Sequence, residues 1–390
     1  MQDKGDLLEG YDDIAPLRGE AASTALRALL EKRDWEGDLS RLIPAPLASD
    51  LVHAWSNARG VEDFQECVVK PFLEGLMVET TKGLSWSGSE KGLDEGMLYL
   101  SNHRDIVLDP SLVNVVLLNR GRGSTEIGIG SNLLSSPWIE QLVRLNRCFV
   151  VHRSGSARER YAHSIRTASY IRAVVQSGTP VWLAHREGRA KDGRDTTAPA
   201  LMRTLSDGCA PEVWNALHTT PISISYEWDP CDALKVHELL SKDAHGAYVK
   251  SDGEDELSMW LGLSGPKGRV HLEFGHPLEW RAHTDERKPE RGMAFLFDVQ
   301  LHKGMRHWAN QRLAAQSLGL SNAHYAHIDS PTAEEQRTWE KRKDAVESFL
   351  MDRGWSREEA GRKWCEMLTA PLVLRESLLH DAGHSDGTGH

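Results

Sequence analysis

Apolar and polar positions follow two rhythms along the chain. Ser23–Arg33 places Leu26, Leu29 and Leu30 on one helical face, which predicts a short amphipathic helix. Pro44 and Pro46 interrupt the next stretch. Val61–Val78 is helical in pattern again, with Phe64, Val68, Phe72 and Leu76 at spacings of four. From Met97 the texture changes to short apolar runs, each predicted as a buried strand: MLYLS (97–101), EIGIG (126–130), CFVVH (148–152), PVWLA (180–184), ISISYEW (222–228) and RVHLEF (269–274). Between them lie helical patterns at Asp109–Leu118, with Pro110 tolerated in the first turn, at Ala157–Gln176, near Ala200 and from Asp232. Strands separated by helices predict βαβ units. The expected fold is α/β, a mostly parallel central sheet flanked by helices, with helical N- and C-terminal additions. Beyond Pro289 the chain reads as helices, two of them opened by the capping boxes Thr332/Glu335 and Ser356/Glu359. The expected division is an N-terminal helical segment (1–60), an α/β domain (61–285), a C-terminal helical region (286–378) and a disordered tail (379–390).

Composition narrows the class. The chain has 390 residues, 40% hydrophobic and 26% charged. That is ordinary for a soluble globular protein and excludes disordered, collagenous and multi-span membrane chains. No apolar run approaches the roughly 18 residues that a spanning helix needs. Thirteen tryptophans fit core packing, with a membrane-interface role as the alternative. The acidic start MQDKGDLLEGYDD does not read as a secretory signal. Five scattered cysteines without a CxxC argue for a reducing compartment. The expected location is therefore cytoplasmic.

The net charge of −11 hides an asymmetry. Between Arg144 and Arg194 eleven Lys and Arg face only Glu159, Glu187 and Asp192. A local positive field in an acidic chain suggests an anionic ligand at one place. No aromatic-interleaved basic stripe or reader motif supports nucleic acid. A solvated helix face explains some of the arginines, but explains those in loops less well.

Four blocks carry candidate chemistry. In NHRDIVLDP (102–110) a histidine leaves an apolar strand, where ligands of open α/β sheets bind. His103 could be a general base held by Asp105 or Asp109, although a strand-end histidine also fits a structural role. A kinase loop is excluded, because the Asn that should follow HRD is Pro110. In FVVHR (149–153) a strand ends in Arg153, suited to a bidentate grip on phosphate or to a surface ion pair. In WLAHREGRAKDG (182–193) a strand enters a turn holding Glu187, Gly188, Arg189 and Lys191, where glycine allows close backbone approach to a ligand. PISISYEWD (221–229) is a strand opened by proline and closed by acids.

Together and in this order the blocks resemble the glycerophospholipid acyltransferase family, of which bacterial 1-acyl-sn-glycerol-3-phosphate acyltransferases are typical. GPKGRVHLEFGHPL (265–278) is similar to the family's final strand, so the resemblance covers about Val61–Leu278. It implies transfer of an acyl group from acyl-CoA or acyl-carrier protein to a hydroxyl of a glycerophosphate or lysophospholipid. His103 would take the hydroxyl proton and Asp109 would orient it. Arg153 and the Glu187–Lys191 turn would bind phosphate. No cofactor or metal is implied. Membrane contact would be peripheral, on the inner face, with the N-terminal amphipathic segments leading. The spacing departs from the family: four residues between the histidine and the acid would place the acid at Leu108, one before Asp109, and Asp105 is the rival partner. The family's third-block arginine could correspond to Arg189 or Lys191. The alternatives are a metal-dependent phosphohydrolase with Asp105, Asp109, His185, Glu187 and Asp192 as ligands, and a non-catalytic lipid-binding module.

Overall fold

The computed structural model describes residues 6–134, 136–280 and 288–385. Seven strands form one sheet: β1 (Thr81–Gly88), β2 (Leu98–Ser101), β3 (Glu126–Gly130), β4 (Cys148–Val151), β5 (Val181–Ala184), β6 (Thr219–Tyr226) and β7 (Gly268–Phe274). Their order is β1-β7-β6-β2-β5-β3-β4, and every pairing is parallel except β6 with β7. This is the mostly parallel α/β architecture that strand–helix alternation predicts.

β2 sits at the centre because all four of its side chains can be buried. Its pleat sends Leu98 and Leu100 to one face and Tyr99 to the other. On the Tyr99 face the sheet packs against helices Gly19–Leu30, Ala45–Asn57, Lys70–Thr80 and Leu108–Asn119. On the opposite face it packs against Ala157–Gln176, Pro199–Leu205 and Pro289–Gly304. A third cluster joins Asp232–His245 to the last two helices, Ala333–Met351 and Arg357–Ser385, around Trp228, Trp339 and Trp364. These three tryptophans are core, as their volume favours; Trp86 and Trp260 are exposed.

Several elements differ from expectation for identifiable reasons. Pro46 opens a helix rather than breaking one, since it occupies the first turn of Ala45–Asn57. Val61–Phe64 and Lys70–Thr80 are joined by a π-helical turn, Gln65–Val69. Pro71, just beyond, has no N–H to give and crowds the carbonyl four residues back. The edge strand β1 has no period-two apolar pattern and escapes sequence reading. So do the helices Pro137–Leu145 and Glu254–Ser264. The final helix runs to Ser385, past residue 379, where a tail was expected to start. Among the described residues no helix is long and apolar enough to cross a membrane. Leu26 and Leu29 of the first amphipathic segment are buried, so their apolar face serves the core rather than a bilayer.

Candidate active site

The chain leaves β2 through Asn102, whose side chain acts as an extra rung of the sheet. Its amide donates to Ile224 O at 2.9 Å and accepts from Ile224 N at 2.8 Å. That fixes the strand end, and the next residue is His103. His103 Nδ1 lies 2.8 Å from Asp109 Oδ2. The same oxygen accepts from the backbone N–H of Arg104 at 2.6 Å and of Asp105 at 3.0 Å. The other oxygen accepts from the Tyr226 hydroxyl at 2.9 Å. Four donors converge on one carboxylate, three on Oδ2 and one on Oδ1. Because Asp109 only accepts here, Nδ1 carries a proton, and in the neutral ring that leaves the lone pair on Nε2.

The one-residue departure in spacing is absorbed in this loop, which folds its two N–H groups back onto Asp109. Asp109 stands in the first turn of the helix Leu108–Asn119, fully buried. Asp105 does different work. Its Oδ1 accepts from the N–H of Val107 at 2.9 Å and of Leu108 at 2.8 Å, satisfying donors at the start of that helix. Burial, then the neighbouring Asp109, pushes the Asp105 carboxyl above its ordinary value. Asp109, not Asp105, is the partner of His103.

The histidine is held from other sides as well. Its ring meets Trp182 edge-on, with centroids 5.7 Å apart, and the Trp182 indole N–H donates to Ser101 Oγ at 3.1 Å. The His103 carbonyl accepts from Ala190 N at 3.0 Å, which docks the third-block turn against the histidine. Arg104 O accepts from Lys235 Nζ at 2.9 Å, and the Arg104 guanidinium lies 3.2 Å from buried Asp195. Burial works against that charge, but Arg104 and His185 bring the Asp195 carboxyl down to about 2.

The cationic segment divides. Arg144, Arg147, Arg166 and Arg172 pair with Glu140, Glu62, Asp13 and Asp207 and serve structure. Arg153, Arg160, Arg186, Arg189 and Lys191 line one cavity together with His103. Within that group Arg189 lies 3.8 Å from Asp255, and Lys191 is paired with Glu238. Burial lowers the Lys191 ammonium from its ordinary value even with Glu238 opposing. Arg153 lies 3.9 Å from exposed Glu187 and is thus the least neutralised of the three predicted phosphate cations. Gly188 makes the turn possible with φ +70°, and a Cβ there would meet open space but a strained backbone.

The cavity has a volume of about 1460 Å³. Its cationic lining includes Arg153, Arg160 and Arg186. Its apolar lining includes Trp35, Phe64, Phe72, Val115, Trp138 and Leu142, from the N-terminal helices and from Leu108–Asn119 and Pro137–Leu145, with the Arg33 guanidinium stacked over Trp35 and Trp138. His103 lines the same cavity and retains 15% side-chain exposure. The arrangement suits a base that must meet a molecule with one charged and one long apolar part.

Sequence reading placed Arg160 and Arg186 in the cationic segment without giving either an individual role, and it missed Tyr226, which looked like a core-strand residue. A tyrosine at the end of a strand beside an acidic turn was the available signal. The residues a metal hydrolase would need are separated in role: Asp109 accepts from four donors, Asp105 accepts at the start of a helix, and His185 is buried against Thr197, 2.9 Å away. Among the described residues no group of three or more His, Cys, Asp or Glu is placed to hold a metal ion.

Residues 81–208 match the model of the family described as Acyltransferase. The span includes His103, Asp109, Arg153 and the Glu187–Lys191 turn. No curated protein matches the chain. Among solved structures, the crystal structure of PlsC, the 1-acyl-sn-glycerophosphate (LPA) acyltransferase from Thermotoga maritima, is similar. The likeness covers 72% of this chain and 95% of that one, at 11% identity and a TM-score of 0.38.

Proposed function

We propose, on the premise of the match between residues 81–208 and the Acyltransferase family model, that the protein moves an acyl group from acyl-CoA or acyl-carrier protein to a hydroxyl of a glycerophosphate or lysophospholipid. The acceptor we put first is 1-acyl-sn-glycerol-3-phosphate. The observation that carries this reading is the single cavity lined by His103, by several arginines and by a broad set of apolar side chains. A lysophosphatidate combines the matching parts, a phosphate and a hydrocarbon chain.

In this mechanism His103 Nε2 takes the proton of the acceptor hydroxyl as the oxygen attacks the thioester carbonyl. Nδ1–H stays on Asp109, whose charge stabilises the imidazolium that forms. The tetrahedral intermediate collapses, the ester forms, the carbon–sulfur bond breaks and the imidazolium returns its proton to the departing thiolate. Proton and charge balance without a metal or redox group. Arg153 binds the acceptor phosphate, with Arg160 and Arg186 beside it, and the Glu187–Lys191 turn shapes the site. Incubation with one acyl-CoA and a panel of lysophosphatidate, glycerol 3-phosphate and monoacylglycerol tests the phosphate requirement. Esterification of the phosphate-bearing acceptors is expected. Equal use of the uncharged monoacylglycerol would contradict it.

Arg153→Ala is expected to raise the acceptor KM about tenfold or more, with kcat and donor KM little changed. A lost charge-assisted pair to phosphate is worth about 1.5–3 kcal/mol. Steady-state kinetics with each substrate varied in turn checks this. A change confined to the donor KM would move Arg153 to the thioester carrier.

Membrane association is proposed to be peripheral, on the inner face in a cytoplasmic setting. The cations around the cavity favour anionic lipid, and Tyr161 and Trp260, which line it, are exposed. Co-sedimentation with anionic vesicles is expected to weaken between about 0.1 M and about 1 M salt, as the Debye length falls from about 10 to about 3 Å. Binding that survives high salt and alkaline washing would instead require a buried hydrophobic anchor.

A further inference from the structure

Asp109 has two carboxylate oxygens with different partners. Oδ2 is occupied by His103 Nδ1 and two backbone N–H groups, and Oδ1 by the hydroxyl of Tyr226, 2.9 Å away. Tyr226 is the last residue of β6 and lies 117 positions from Asp109 in sequence. Without it, the Oδ1 side of a buried carboxylate would have no donor among the described residues.

The position of Tyr226 is over-determined. One residue earlier, Ser225 Oγ accepts from Arg306 N at 3.0 Å. One residue later, the Glu227 carbonyl accepts from Asn310, and the Glu227 carboxylate is gripped by Arg269. Ser223 Oγ donates to Leu301 O at 2.5 Å. The segment from Leu301 to Asn310, in and after the helix Pro289–Gly304, thus clamps the strand end that presents this hydroxyl.

We propose that Tyr226 is a positioning residue of the His103–Asp109 pair: its hydroxyl fixes the rotation of the Asp109 carboxylate and limits the basicity that Asp109 confers on the imidazole. The hydrogen bond stands on geometry alone; its consequence for turnover rests on His103 acting as the base proposed above. Burial, then the Asp109 and Asp105 carboxylates, hold the Tyr226 phenol well above its ordinary value, so it remains a donor at neutral pH.

The sign of the effect is set by hydrogen bonding. A donor on Oδ1 withdraws charge from the carboxylate. Removing it leaves Asp109 more strongly attracted to the protonated imidazole, so the His103 titration midpoint rises. Other charges face these groups. They are Asp105 with Lys267 behind it, Asp229 paired with Lys235, and Asp195 paired with Arg104. Glu227, Arg306 and His307 lie behind β6, and Glu187, Arg153, Arg189 and Lys191 lie around the cavity. None of them is altered by Tyr226→Phe, which removes one oxygen, so the difference between the two proteins reports the lost bond.

The test is an NMR titration of histidine-labelled full-length protein without substrate, with the His103 signal assigned by its absence in His103→Gln. In Tyr226→Phe the His103 midpoint is expected to move up by about half a unit to one unit, while the midpoints of remote histidines such as His53 stay in place. In kinetics, the acid limb of kcat/KM should move up by the same amount, and kcat at its plateau should fall severalfold with both KM values little changed. Fluorotyrosine incorporation, which makes every phenol a stronger donor without deleting an atom, should move the His103 midpoint down and covers the case in which the variant folds poorly. An unmoved His103 midpoint in both proteins would overturn the proposal. A moved midpoint without any acyl transfer would keep the positioning role and contradict the functional reading instead.

Discussion

His103→Ala loses turnover by about 10²–10⁴-fold, the usual contribution of a positioned general base, and keeps its fold. The first half of that expectation comes from geometry. Nδ1 is committed to Asp109 at 2.8 Å, so the ring presents Nε2 to the cavity, and no other imidazole is held there by a buried carboxylate among the described residues. The cavity also contains His152, which stands against His163 at a centroid distance of 5.0 Å and whose acidic neighbour, Asp13, is exposed rather than buried. The second half comes from the contacts that the substitution leaves untouched. Asn102 still pairs with both groups of Ile224, and Ala190 N still donates to the residue 103 carbonyl, because that bond is made by the backbone. The losses are the edge contact with Trp182 and one donor on Asp109. Steady-state rates and a thermal melt check the two halves separately. Near wild-type rates in a folded variant would remove His103 from the mechanism.

Asp109→Asn is expected to lower kcat by about 10³–10⁴-fold, in line with removing the carboxylate from a carboxylate–imidazole pair. The fold should survive because the substitution can be accommodated. With the amide oxygen at the Oδ2 position, the N–H groups of Arg104 and Asp105 and His103 Nδ1 keep their acceptor. The new NH₂ then faces Tyr226, whose hydroxyl can turn to accept. The negative charge that stabilises the imidazolium disappears. Asp105→Asn is the informative control. Asp105 accepts from Val107 and Leu108 N–H and does not meet the histidine, so its loss should appear in the melting temperature before it appears in the rate. If the two variants exchanged these phenotypes, Asp105 would be the functional partner.

The parts of this molecule that could be read from its sequence are those fixed by local pattern. β2 shows itself as four apolar or small residues in a row, all buried, and the residues at its exit come directly after them. The capping boxes at Thr332 and Ser356 are set by side chains three positions apart, and both form. The features that were not legible depend on distant partners. β1 is an edge strand with mostly exposed residues, so no alternation betrays it. The antiparallel turn of β7 against β6 is a choice between two pairings that the same apolar run permits. Lys191 looks like a free phosphate ligand until Glu238, 47 positions away, comes to pair with it. The apolar lining of the cavity is assembled from helices before β1 and after β2, and no single segment displays it.

The central claim is a hydroxyl attacking a thioester under the control of His103. Acceptor-dependent release of free thiol from acyl-CoA, tracked for the wild-type protein and for His103→Ala, tests it most directly, with acyl-carrier protein as the second donor. Thiol should appear only when a glycerophosphate or lysophospholipid is present, in step with the new ester, and the histidine variant should release it about 10²–10⁴-fold more slowly. Acceptor binding with no thiol released from either donor, or thiol release unchanged by the loss of His103, would contradict the account.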